Sequence, residues 1–486
     1  MMSWTSVARL FGTIVFGFST TLVLPMIWAV VYQEWGSLLS FGVTMALTWL
    51  LAFVLRIYGR SGDDAHIFRR EALTVVGLSW FVLPAMGALP FLLDGVFTSP
   101  VDALFESVSG FTTTGATVLT EIETAMSRST HFWRMMTHWL GGMGIMVLFV
   151  AVLPSLGVGG KMLFKNEVPG PITESLKPRI RETSVALWRI YIGLTVAQTI
   201  LLATVGGMDL WNASAHAMST LGTGGFSTLN SSVAGFDSVA VDVIITVFMF
   251  LAGVNFSLYF LALGGKWRTA LRDIELWAYA GITLAATAIV SIAILERHGH
   301  QPLQAIRYGA FQVVAIVTTT GFGTDDFDQY PALARNLLFF LLFVGGSAGS
   351  TAGGMKVFRY IVLAKAAWRQ VSRTFRPQSV SVVKIRNQAI GDDTVAAIQA
   401  FFFAYLGLFV FGAMAMSLMT PDLETAISSS IACLGNVGPG LSMVGPTQNY
   451  AFIPAPGKLL LTVLMVFGRL EVYTLLVLFA PSFWRR

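Results

Sequence analysis

The sequence predicts an all-α membrane protein in which four tandem helix–pore loop–helix repeats surround a pseudo-fourfold pore, preceded by two extra N-terminal transmembrane helices. Two observations lead to this fold class. Of the 486 residues, 55% are hydrophobic and only 12% are charged, whereas about 25% of the residues of a soluble domain are charged. In addition, four short runs rich in small residues, each containing glycine, recur between the apolar stretches at similar spacing.

The apolar stretches come first. Ten of them are long enough to cross about 30 Å of hydrocarbon, and they cover residues 7–32, 37–57, 72–93, 133–156, 187–207, 240–263, 275–295, 334–364, 393–418 and 458–481. The first is too long for the apolar core of a signal peptide, so we expect a retained helix. The eighth is expected to be interrupted, because five of the ten residues in 345–354 are glycine.

Charge placement predicts the topology. If the stretches alternate, most basic residues of the loops fall on one side of the membrane and few on the other, which places both termini in the cytoplasm. The residues on the basic side are Arg56, Arg60, Arg69, Arg70, Lys161, Lys165, Lys177, Arg179, Arg181, Lys266, Arg268, Arg272, Arg359, Arg369, Arg373, Arg376, Lys384, Arg386, Arg485 and Arg486. The net charge of +5 therefore indicates positive-inside loops rather than a nucleic-acid partner. The single cysteine, Cys433, excludes a disulfide framework within the chain.

The four small-residue runs lie at 112–116, 222–225, 318–322 and 435–439, each between two apolar stretches on the opposite side from the basic residues. Aligning the glycines at 115, 224, 321 and 438 gives spacings of 109, 97 and 117 residues. Such a period predicts an internal repeat. The predicted divisions are a helix pair at 1–60 and pore repeats at 61–182, 183–272, 273–390 and 391–486.

Non-helical backbone at membrane depth is tolerated where it is buried in protein or lines a water-filled path. Rings of backbone carbonyls there can replace the hydration shell of a cation, and the C-terminal end of a short helix favours positive charge. None of the four runs contains a basic residue. A single Thr/Gly run is usually a turn, but four at similar spacing indicate a cation-selective filter. The acids of that side, Glu106 among them, either concentrate cations at the mouth or are ordinary solvated loop charges.

Several segments carry a family resemblance: 138–145 (HWLGGMGI), 177–183 (KPRIRET), 250–256 (FLAGVNF), 345–356 (GGSAGSTAGGMK) and 467–474 (FGRLEVYT). In these segments the chain resembles the TrkH-type potassium-uptake subunits of the Trk/Ktr/HKT superfamily, and the likeness covers nearly the whole sequence.

The resemblance implies K+ uptake across the bacterial inner membrane, with K+ as the bound and transported ion and no other cofactor in this chain. The K+ ligands that it implies are Thr113, Thr114, Gly115, Gly222, Thr223, Gly224, Thr319, Thr320, Gly321, Asn436, Val437 and Gly438. Since only one glycine is common to all four runs, we expect short, irregular carbonyl rings and modest discrimination among monovalent cations.

The resemblance further implies an intramembrane gating loop at 345–354. The gate residues are Gly345, Gly346, Gly349, Gly353, Gly354, Lys356 and Arg469. Close helix packing through small residues is the alternative for the glycines. Arg469 could instead pair with Glu471 or with helix carbonyls, and Lys356 could extend to the inner interface.

The partners implied by the resemblance are a second copy of the chain, a cytoplasmic nucleotide-binding subunit of the TrkA type, and membrane lipid. An H+- or Na+-coupled K+ symporter remains the alternative function. An enzyme is not expected, because the six histidines are scattered and no acid or nucleophile of matching depth accompanies them.

Overall fold

The computed structural model describes residues 2–61, 69–152, 180–376, 382–385, 388–470 and 472–484. Glu471, Arg386, Arg485, Arg486 and the basic residues of 161–179 lie outside the described residues. The predicted fold class is confirmed, with helices arranged in four related units behind an N-terminal group.

The N-terminal group contains α1 (Trp4–Thr21), α2 (Val23–Val31) and α3 (Trp35–Tyr58). The first predicted span is divided at Leu22, three residues before Pro25, whose ring removes a backbone donor in the first turn of α2. Large apolar side chains on α3 are exposed, including Leu50 at 60% and Phe53 at 63%. Such a surface suits lipid rather than water.

Each of the four repeats contains a first helix, a pore helix and a loop, followed by a further helix that we call the inner helix. Repeat 1 comprises α4 (Arg69–Leu93), α5 (Pro100–Phe111) and α6 (Arg128–Val152). Repeat 2 comprises α7 (Ile180–Thr204), α8 (Leu210–Gly222), α9 (Val239–Ala252), α10 (Phe256–Leu261) and α11 (Trp267–Ala270). Repeat 3 comprises α12 (Ile274–Ala293), α13 (Pro302–Val317), α14 (Ala332–Leu341) and α15 (Val357–Phe375). Repeat 4 comprises α16 (Asp392–Met416), α17 (Leu423–Leu434), α18 (Ala455–Arg469), α19 (Val472–Phe479) and α20 (Pro481–Trp484).

The strands are two residues long. β1 (Val344–Gly345) pairs in parallel with β2 (Met355–Lys356), and β3 (Lys384–Ile385) pairs antiparallel with β4 (Gln388–Ala389). We call the side of the membrane on which the pore helices α5, α8, α13 and α17 begin the outer side. All four run inward from it, and their last residues are buried within the protein.

Within the described residues, six helices are long and apolar enough to cross a membrane, and a seventh span is counted if a bent pair is taken as one. The bent pair is α9 with the segment from Phe256 to Ala270, which turns by 90°. An unbroken span over 240–263 is therefore wrong. The chain turns at Gly253, and the Asn255 side chain accepts from the Ser257 N–H at 2.9 Å, so α10 starts as a new helix.

Contacts between repeats follow one cyclic order near the outer side. The inner helix of one repeat meets the start of the pore helix of the next through ion pairs in three of the four seams. These pairs are Asp242–Arg307 at 2.6 Å, Arg335–Glu424 at 2.5 Å and Lys458–Asp102 at 2.6 Å. In the seam between repeats 1 and 2, the Arg128 guanidinium lies 5.8 Å from the Trp211 ring centroid. This cyclic order is the geometry expected of a pseudo-fourfold assembly.

Candidate ion-conduction site

The four pore helices end in the same backbone turn. The residue after the last turn has left-handed backbone angles in every repeat, with φ of 55° at Thr113, 56° at Thr223, 57° at Thr319 and 54° at Asn436. In repeat 1 the Thr113 N–H donates to the oxygen three residues back, and the Thr114 N–H to the oxygen five residues back. The other repeats share both bonds. This is the Schellman pattern of a helix C-terminus, here built on non-glycine residues for which φ > 0 is uncommon.

Two residues further on, each loop has a glycine with positive φ: Gly115 at 78°, Gly225 at 79°, Gly321 at 75° and Gly438 at 95°. The sequence alignment on Gly224 is therefore wrong by one residue. Residues 224 and 225 are both glycine, so composition could not distinguish them, and only the backbone angles do. The segment equivalent to 113–115 is 223–225, and Gly222 is the last residue of α8.

These four glycines pack in a closed ring. A Cβ atom on any of them would collide with the backbone oxygen of the following repeat: Gly115 with Gly224 O, Gly225 with Thr320 O, Gly321 with Val437 O, and Gly438 with Thr114 O. The contacts run from repeat 1 through 2, 3 and 4 and back to 1. Glycine is required at these positions both by the positive φ and by the approach of the neighbouring carbonyl.

The same four glycines line one cavity on the outer side of the ring, which we call the outer vestibule. Thr117, Asn230, Gln448 and Arg134 also contribute to its wall. The ring therefore lies at the base of a polar funnel, where a hydrated cation would exchange water for protein oxygen.

On the inner side of the ring lies the predicted gating loop, 345–354. Its ends are joined by the β1–β2 pairing, and its residues between the strands form no helix. The Thr223 hydroxyl donates to Thr351 O at 2.9 Å, and the Gly353 N–H donates to Thr319 Oγ1 at 2.6 Å. A Cβ atom on Gly353 would lie 2.6 Å from Asn436 Cβ. The loop thus contacts the left-handed residue of three repeats.

Arg469 and Lys356 hold this loop from within the protein. Arg469 is 4% exposed; Nη1 donates to Thr351 O at 2.7 Å and Nη2 to Gly141 O at 2.9 Å. Its partners are therefore backbone carbonyls, one of them in the gating loop. Lys356 Nζ donates to Ala352 O and to Gly353 O, so this side chain folds onto its own loop rather than extending to the inner interface.

Comparison with known proteins agrees with this architecture. The model of the TrkH family, described as a cation transport protein, matches residues 59–275 and 274–486. Two proteins named Trk system potassium uptake protein TrkH, from Salmonella typhimurium and Escherichia coli, are 38% identical over 488 residues, which covers 100% of both chains. The crystal structure of the potassium transporter TrkH from Vibrio parahaemolyticus matches with a TM-score of 0.89 at 35% identity over 100% of both chains.

The chain belongs to the TrkH family of cation transport proteins.

The structure of this TrkH family member adds two groups of hydrogen bonds that sequence analysis missed. The helix break at Gly253 frees carbonyls that would otherwise be bonded within a helix. Gly253 O accepts from Ser347 N–H at 2.9 Å, and Ala252 O accepts from the Thr351 hydroxyl at 3.2 Å. The bend in repeat 2 is therefore part of the support of the gating loop in repeat 3. The FLAGVNF segment contained this signal, as a glycine and an asparagine inside an apolar span.

The second group is formed by Glu275, which lies in the first turn of α12. Its Oε1 accepts from Ala348 N–H at 2.7 Å and from Phe358 N–H at 3.0 Å, which lie within and just beyond the loop. The side chain is 6% exposed. One carboxylate oxygen thus joins the first half of the loop to the start of α15, which follows the loop. An acid at the start of an apolar helix was visible in the sequence, but its partners, more than seventy residues away, were not.

Proposed function

We propose that this protein takes up K+ across the bacterial inner membrane through the ring of four loops. With the second repeat shifted by one residue, the proposed K+ ligands are Thr113, Thr114, Gly115, Thr223, Gly224, Gly225, Thr319, Thr320, Gly321, Asn436, Val437 and Gly438. The closed cyclic packing of four positive-φ glycines against four backbone oxygens is the observation that most supports this function. The relatives named potassium uptake proteins match over their full length.

The chemistry of the ring suits a weakly hydrated monovalent cation. Its atoms are backbone carbonyls and hydroxyls, with no carboxylate in the loops. The C-terminal ends of four helix dipoles meet there, which favours positive charge. Among the described residues, the buried atoms Thr113 Oγ1 and Asn436 Oδ1 have no hydrogen-bond partner, so these two oxygens are available to a dehydrated ion.

We propose the loop at 345–354 as the gate, which is closed when it is bonded to the ring. Support comes from the hydrogen bonds that join Thr351 and Gly353 to the inner face of the ring. Conduction requires Thr351 to leave both Thr223 and Arg469. A cytoplasmic nucleotide-binding subunit of the TrkA type, acting on a dimer of this chain, is the proposed source of that movement.

The test of the filter compares Gly115→Ser and Gly225→Ser with wild type in proteoliposomes, by Rb+ tracer flux and by reversal potentials in K+ and Na+. Gly407→Ser is the matched control, because a side chain at Gly407 meets no atom within 4 Å. We expect both filter variants to lose K+ over Na+ preference while the control keeps it. Unchanged preference in both filter variants would refute the assignment. Flux that requires an H+ or Na+ gradient, despite a large K+ gradient, would favour the coupled symporter.

A further inference from the structure

Glu106 differs from the solvated outer acid that its position in the sequence indicates. It lies on the pore helix α5 and is 0% exposed. Its Oε1 accepts from the Thr117 hydroxyl at 2.8 Å, and its Oε2 accepts from the Val118 N–H at 3.0 Å. The carboxylate therefore holds the segment that leaves the ring just after Gly115.

Arg134, on α6, binds the same carboxylate from the other side. Its Nε donates to Glu106 Oε1 at 2.7 Å, and both side chains are at most 1% exposed. Its Nη1 donates to Ser227 O at 3.1 Å, and the guanidinium lies 3.5 Å from the centroid of the Phe226 ring. Arg134 thus holds the segment that leaves the ring just after Gly225. Together the two side chains link residues 117–118 of repeat 1 to residues 226–227 of repeat 2. We call these two stretches the exit segments.

His138, one turn further along α6, contacts the same two repeats. Its Nδ1 lies 2.8 Å from Gly110 O in the pore helix of repeat 1, and its Nε2 accepts from the Phe226 N–H at 3.2 Å. Residues four apart on a helix share a face. One face of α6 therefore sets the position of the second loop relative to the first.

The charge of the pair matters because Arg134 lines the outer vestibule. A buried guanidinium is costly unless it is paired, and removing one partner leaves the other charge uncompensated. Without Glu106, a positive charge would stand beside the proposed cation path. Without Arg134, a negative charge would remain there. The two losses should therefore act on cation access in opposite directions.

We propose that Glu106 and Arg134 form a positioning pair with no net charge. The pair holds the exit segments of repeats 1 and 2 in register, and so sets cation selectivity and access to the ring. The inference rests on the proposed filter. It assigns no ion contact to either side chain: their hydrogen bonds act through residues 117–118 and 226–227, and their charges act on the cation from a distance.

The test uses Glu106→Gln, Arg134→Gln and the double variant in proteoliposomes, with Gly115→Ser beside them. The apparent K+ affinity is measured from flux against K+ concentration, the K+/Na+ ratio from reversal potentials, and folding from thermal unfolding. The matched control is the double change Asp242→Asn with Arg307→Gln, which removes an ion pair of similar length, 2.6 Å, at a seam away from the vestibule.

Glu106→Gln is expected to weaken apparent K+ affinity by about tenfold, the effect of 1.4 kcal/mol of repulsion. Arg134→Gln should leave the affinity unchanged or strengthen it, and the neutral double variant should return it towards wild type. All three should lower the K+/Na+ ratio, because the two exit segments lose their link. The control pair should lower the unfolding temperature without changing either readout.

Equal losses of affinity in both single variants with an unchanged K+/Na+ ratio would overturn the proposal and leave a purely structural pair. Where a single variant fails to fold, the double variant and Arg134→Lys are measured in its place. An unchanged K+/Na+ ratio in both of these proteins would overturn the proposal. If Gly115→Ser alters the ratio and the pair variants do not, only this inference fails. If none of them alters it, the filter assignment fails as well.

Discussion

The ring of loops and the gating loop lie against each other, yet they are held in different ways. The backbone turn of each ring loop is bonded to its own pore helix, three and five residues back along the chain, and contacts between repeats add to these local bonds. The gating loop is held by distant groups: Arg469, Glu275, Thr319 and the carbonyls at the helix break. Local bonds form with the helix itself and persist while it does. Contacts from separate elements can be lost when those elements move. Under the proposed gating, this difference would let the ring stay constant while the loop at 345–354 moves.

The strongest test of that difference is to remove the gating loop and keep the ring. Excision of residues 347–352 should raise basal Rb+ flux in proteoliposomes by more than about tenfold. The excision removes the proposed closed conformation, and two conformations of a protein commonly differ by a few kcal/mol. The K+/Na+ ratio should stay at its wild-type value, because the backbone bonds that join each ring loop to its own pore helix lie outside the excised segment. A well-folded variant with lower flux would show that the loop forms part of the path rather than closing it.

A smaller effect is expected from Arg469→Gln. Hydrogen bonds to charged groups contribute about 1.5–3 kcal/mol each, and Arg469 makes one to Thr351 O and one to Gly141 O. Their loss should favour the open state by about tenfold, measured as open probability in planar bilayers without a partner subunit. Arg469→Lys is the control, since it keeps the charge but carries its donors on a single nitrogen, which should give an intermediate value. Equal open probability in all three proteins would remove Arg469 from the gate.

The smallest change is expected at Thr319, which belongs to both regions. Thr319→Val removes the acceptor of the Gly353 N–H, a bond with a net contribution of about 1 kcal/mol. Basal flux should rise about fivefold, and the K+/Na+ ratio should fall because an oxygen has left the ring. Thr319→Ser keeps the hydroxyl and should resemble wild type. A changed ratio without a change in basal flux would mean that the bond to the loop does not stabilise closure.

Much of this fold could be predicted from the chain because its signals are local. An apolar stretch of about twenty residues has few alternatives in lipid, and repeated glycine-containing loops between such stretches predict a repeat. The interruption at 345–354 followed from five glycines in ten residues. The bend at Gly253 did not stand out, because a glycine and an asparagine are too few to break a helix unless neighbouring groups replace its bonds.

The sequence by itself determined the membrane class, the four repeats and three of the four ring glycines. The tertiary structure decided which of Gly224 and Gly225 has the positive φ, because the choice depends on the approach of Thr320 O from the next repeat. It also showed that Glu106 is buried against Arg134 rather than solvated. Both outcomes depend on residues far apart in the chain, and composition and spacing describe only what is near.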